Sequence, residues 1–273
     1  MIHGDHWESV IDINDVSSLA KLYKKILQEG KPSSTKKYSF RDGEKTFKYF
    51  TYPNTNLKFL SVGVLNTQQG AYEIINSIPF CAHGTDVFLK INEVNVDGNT
   101  YEAIIESSTV DGVLINFYDP LFFMNMDIYM KDTFRIFRLS GLAYSLFKTK
   151  SEKITLLEKS SAKIESDNQN ESFQYRIELD ADKGRAFYNL SQLKNLPYDY
   201  DLDTCFVQSF IEEVSEFILE GETIYQIHLS IGSYEKPIKL IIYAAKRIIE
   251  PGYIPQIGDN VYSYVWMQAY STH

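Results

Sequence analysis

From Lys37 onward the chain is written as short runs of aromatic and β-branched residues broken by turn residues. TFKYFTY (46–52) runs into Pro53-Asn54, and KFLSVGVL (58–65) follows. DVFLKINEVNV (86–96) alternates, with Val87, Leu89 and Ile91 on one side and Val94 and Val96 continuing after a one-residue slip. Asp97-Gly98-Asn99 is a turn signal, and YEAIIES (101–107) reads as the return strand. VLINFY (113–118) and TFRIFRLSGLAYSLF (133–147) complete the first half, with Gly141 placed for a bulge or bend. FQYRIEL, GRAFYNL, ETIYQIHLSI, IKLIIYA and NVYSYVWMQAY repeat that texture over 173–270. Residues 206–218 fit either a helical stripe or a strand. A chain of this pattern folds as antiparallel sheet.

One helix stands out. In NDVSSLAKLYKKILQE (14–29), Val16, Leu19, Ala20, Tyr23, Ile26 and Leu27 recur at helical spacing, and Gly30-Lys31-Pro32 ends the run. Lys21, Lys24 and Lys25 read as its solvated face. The polar stretch 148–172 holds only ITLL as an apolar island and reads as a linker. The expected organisation is an N-terminal helix plus a first β unit over 1–150, a linker over 151–172 and a second β unit over 173–273.

The two halves correspond in order. Ile91-Asn92-Glu93-Val94 resembles Ile211-Glu212-Glu213-Val214, Gly98 and Tyr101 lie over Gly221 and Tyr225, and Phe117-Tyr118 matches Ile242-Tyr243. Tyr129 then falls on Tyr253, Asp132 on Asp259, and Ala143-Tyr144-Ser145 on Ala269-Tyr270-Ser271. The fold class expected is therefore β-rich α+β, two antiparallel units that form a tandem repeat. Their element order suits OB-like partial barrels as well as other antiparallel units. That analogy carries no function.

Charge narrows the partners. Twenty-seven Lys and Arg against 36 Asp and Glu give −9 over 273 residues. Such a balance disfavours binding through nucleic-acid phosphates and suits a basic protein partner. No apolar run reaches a membrane span, and the acidic start lacks a secretory pattern, so a cytoplasmic protein is expected. Cys81 and Cys205 stand far apart in no metal-binding spacing.

Few constellations suggest chemistry. His3-Gly4-Asp5-His6 lacks a third fixed ligand and reads as a frayed terminus. Asp199, Asp201 and Asp203 alternate as in a calcium loop, but Thr204 and Phe210 occupy its glycine and glutamate positions, which leaves a solvated acidic turn. Asp119 precedes Pro120 as a turn residue, and alternation sets His228 facing solvent beside Gln226 and Ser230. No hydrolase, zinc-protease or nucleotide-loop motif occurs, so no catalytic residue, metal or cofactor is assigned.

The 20 Tyr, 17 Phe and two Trp favour contact with a macromolecule. Tyr264 and Trp266 on one face of the last strand, with Tyr118 and Asp119 at the end of an earlier one, are the candidate contact residues. The expectation is a non-enzymatic binding protein with an acidic, aromatic surface for a protein partner. A neutraliser of a toxin or nuclease, an immunity-type protein, fits that physics. An OB-like nucleic-acid module and an enzyme with a dispersed site are the alternatives.

Overall fold

The computed structural model describes residues 4–12, 16–40, 43–97, 102–149, 153–160, 173–180, 185–190, 202–232 and 235–272. Strand makes up 61% and helix 12% of these described residues, so the molecule is β-rich with large antiparallel sheets.

Helices α1 (Gly4–Glu8) and α2 (Val16–Glu29) come first. Strands β1 (Lys31–Pro32), β2 (Lys36–Phe40), β3 (Gly43–Tyr52), β4 (Leu57–Asn66) and β5 (Ala71–Cys81) then form one antiparallel sheet, in which β3 pairs with β1, β2 and β4, and β4 with β5. Strand β5 has no counterpart among the sequence expectations. Its Pro79 lies opposite Phe59 on a strand at the sheet's edge, where a missing N–H costs no ladder bond.

Strands β6 (Thr85–Asp97), β7 (Glu102–Ser108), β8 (Leu114–Asp119) and β9 (Phe134–Ala143) follow, with α3 (Phe122–Asn125) and a short 3-10 turn between β8 and β9. After β10 (Phe147–Lys148) come β11 (Lys153–Ser160) and β12 (Phe173–Asp180), paired with each other across part of the expected linker. Strands β13 (Ala186–Asn189), β14 (Thr204–Phe210), β15 (Glu213–Leu219), β16 (Glu222–Ile231), β17 (Ile238–Ala245) and β18 (Asn260–Ser271) complete the chain. The helical alternative for 206–218 gives way to two strands meeting at Ile211-Glu212. Alternation there beats the helical stripe because both strands find ladder partners, β14 on β18 and β15 on β16.

The large sheet closes on itself. Strands β6, β7 and β8 form an antiparallel meander, β8 runs parallel to β18, β18 pairs antiparallel with β9, and β9 returns to β6. A second circuit runs through β15, β16 and β17 to β9, then to β18 and β14, and closes through the bend at Ile211-Glu212. Strands β9 and β18 thus belong to both circuits. One apolar core fills both, including Phe117, Phe137, Ile227, Ile242, Val265 and Met267.

A second core lies between the N-terminal elements and this body. Trp7, Ile26, Phe47, Phe59 and Ile78 pack there with Tyr118, Phe123, Tyr243 and Trp266. The buried stripe of α2 is Leu22 and Ile26 flanked by Leu19 and Tyr23, whereas Leu27 is exposed. His6, expected in a frayed terminus, is instead buried together with Trp7, whose Nε1 donates to the Ser77 carbonyl at 3.1 Å.

Candidate functional site

Three of the four expected contact residues belong to the core. Trp266 is fully buried; its indole stacks on His6 at 3.7 Å between centroids, and its Nε1 donates to Asp203 Oδ2 at 2.7 Å. Tyr118 is buried beside Trp266, and its hydroxyl accepts from Asn76 Nδ2 at 3.2 Å. Asp119 is buried as well, accepting from the Leu121 N–H at 2.7 Å and from the Tyr129 hydroxyl. Neither ring nor carboxylate has surface to offer a partner. Only Tyr264 is partly exposed. Alternation along β18 cannot reveal that the N-terminal elements will cover the face that carries Trp266.

The acidic turn is corrected too. Asp203 is buried against Trp266 rather than solvated, while Asp199 and Asp201 lie outside the described residues, as does His3. Among the described residues no group of three or more His, Cys, Asp or Glu side chains is arranged to hold a metal. Burial raises the thiols of both Cys81 and Cys205 above their ordinary range, which leaves them poor nucleophiles.

An open groove of about 590 Å³ lies between β6–β9 and β15–β17, lined by His83, Asp86, Arg138, Glu213, His228 and Lys239 among others. Its position follows from strand pairing. Strands β9 and β17 share only Ser140–Leu142 against Ile241–Tyr243. The N-terminal sheet reaches as far as Gln226, whose Oε1 accepts from Asn56 Nδ2 at 2.8 Å. Beyond that contact, His228 and Ser230 follow on the same face of β16, as the alternation requires.

Every cation in the groove has a carboxylate partner. Arg138 grips Asp86 with two bonds of 2.9 and 3.1 Å, and this pairing holds the guanidinium above its ordinary pKa. Glu212 accepts from Lys239 and, at 2.5 Å, from Ser230 Oγ. Burial alone would raise the Glu212 pKa, but those bonds prevail and lower it. Ser230 is fully buried, and its hydroxyl is spent on Glu212. The Glu213 carboxylate stands 3.7 Å from His228 Nδ1 and is three-quarters exposed.

Beside the groove the outer face of β6 and β9 is apolar and open. Phe88 pairs across the ladder with Ile136, and Lys90 with Phe134. Phe88 and Phe134 stack at 5.1 Å and 17°, and Phe88, Phe134 and Ile136 are 53%, 41% and 40% exposed. Asp86–Arg138 borders this patch on one side and Lys90–Asp132, at 2.6 Å, on the other. The sequence carried a signal for it: Phe88 and Ile136 fall on the polar side of strands whose Leu89 and Phe137 are core.

No known family model matches the chain, and no curated protein is similar to it.

Proposed function

We propose that the chain is a tandem pair of OB-like units that exchange their long strands, and that it acts as a non-enzymatic protein-binding module. The registers support the repeat. Lys90 pairs with Phe134 as Phe210 pairs with Asn260, and Val94 with Ile105 as Val214 with Ile227. Ile105 pairs with Phe117 as Ile227 with Ile242, and Tyr118 with Gln268 as Tyr243 with Leu142. In this reading β9 completes the second unit and β18 the first. The second and third strands of an OB barrel carry its binding face. On the first unit that face holds Tyr118, packed under the N-terminal sheet, whereas on the second it holds His228 and Lys239, which line the open groove.

The observation that carries the function is the stacked, exposed Phe88–Phe134 pair beside a groove whose cations are already neutralised. Exposed rings at the centre of a rim of ion pairs are the anatomy of a protein-docking surface. Lys90 and Arg138 are engaged by Asp132 and Asp86, so phosphates gain little there, and the exposed Glu213 suits a partner's Lys or Arg. A basic protein, such as a toxin or nuclease held inactive in the cytoplasm, fits this surface.

The test is quantitative capture with the full chain and with Phe88→Ser/Phe134→Ser. The expected result is one basic protein retained by the parent, lost by the double variant and released by salt. Capture that is indifferent to both substitutions overturns the reading.

A further inference from the structure

The net charge of the chain conceals two opposite parts. Residues 16–72 hold ten Lys and Arg against three Asp and Glu, a balance of +7, while the remainder carries −16. The basic stretch folds into α2 and the N-terminal sheet.

On β3, Lys48, Phe50 and Tyr52 alternate onto one face. The Lys48 ammonium lies 5.6 Å from the centroids of both Phe50 and Tyr72, and these two rings meet edge-on at 6.4 Å. Both rings are half-buried. At the next step along the same face, Lys25 of α2 stands over the Tyr52 ring at 5.0 Å. Lys21 and Lys24 are exposed on α2. Among the described residues no ion pair engages Lys21, Lys24 or Lys48, whereas Lys25 is paired with Glu220 at 2.9 Å and the groove's Arg138 and Lys239 are paired with Asp86 and Glu212.

We propose that this face, centred on Lys48, Phe50 and Tyr72, binds single-stranded nucleic acid. Unengaged ammonium groups take up phosphates and release their counterions. Rings interleaved with those cations offer platforms for unstacked bases. An acidic peptide would use the lysines and leave the rings idle. A duplex keeps its bases stacked and out of reach of half-buried rings. The site is separate from the groove and does not depend on its partner.

The experiment is fluorescence anisotropy of labelled oligo(dT) with the full chain. With three phosphates engaged, affinity should fall about twentyfold between about 50 mM and about 200 mM salt. Lys48→Glu and Phe50→Leu should each weaken binding about tenfold with unchanged circular dichroism. Lys236→Glu makes the same charge change away from this sheet, where Lys236 pairs with Asp111, and should leave affinity within about twofold. Absence of oligo(dT) binding at low salt overturns the proposal, as does an equal loss in Lys48→Glu and Lys236→Glu. Equal binding of polyglutamate, or Lys48-dependent binding of phosphatidylserine vesicles in place of oligo(dT), overturns it as well.

Discussion

Trp266 and Asp203 are joined through the indole N–H at 2.7 Å, inside the core that links the N-terminal elements to the large sheet. The ring's face is covered by His6, whose Nδ1 lies 2.6 Å from the Tyr144 hydroxyl. A residue so enclosed acts on stability. Trp266→Ala should cost about 3–5 kcal/mol in urea unfolding. A loss below about 1 kcal/mol would show that the side chain does not hold the two layers together.

Asp119 gives the fold a pH dependence of unusual sign. Burial raises its carboxyl well above the ordinary 3.8, and the Leu121 amide offsets only part of that. The folded chain therefore retains a proton that the unfolded chain loses. Stability from this group is complete below about pH 4 and declines as pH rises through the folded-state pKa. Asp119→Asn removes the titration and keeps an acceptor for the Leu121 amide. The difference in unfolding free energy, parent minus variant, should fall with rising pH by at most about 1.4 kcal/mol per unit. A flat difference between pH 4 and 8 contradicts the assignment.

Gly141 sits where β9 meets both β17 and β18, opposite Ile242 and Met267. A Cβ there would overlap Val265 Cγ1. Gly141→Ala should destabilise by about 1–3 kcal/mol through overpacking. Val265→Ala opens that space, so the double variant should cost less than the two single changes summed. Strict additivity in the thermal melts would mean that the two sites are not in contact.

The sequence disclosed strands far better than faces. ETIYQIHLSI is β16 over 222–231, because alternation and flanking turns mark a strand locally. DVFLKINEVNV even displays its slip, which the structure realises as the bulge between Ile91 and Glu93. What covers Trp266 and Gln268 is not local. Gln268 accepts from the Cys81 N–H at 3.0 Å and donates to the Pro79 carbonyl at 2.9 Å, partners nearly 190 positions away. The groove was hidden for the same reason, since Arg138 and Lys239 come together only through the parallel pairing of β9 with β17. The charge division, by contrast, was legible: a running sum over 16–72 reveals it, whereas the chain-wide total averages it away.

The docking surface can be questioned directly by placing a photo-crosslinking amino acid at Phe88 and, as a control, at Val110, which is 71% exposed. Illumination in the native cell should join position 88 to one basic protein, with no such product from position 110. Products shared by both positions, or a position-88 adduct with nucleic acid, would contradict a protein-docking role for the β6–β9 face.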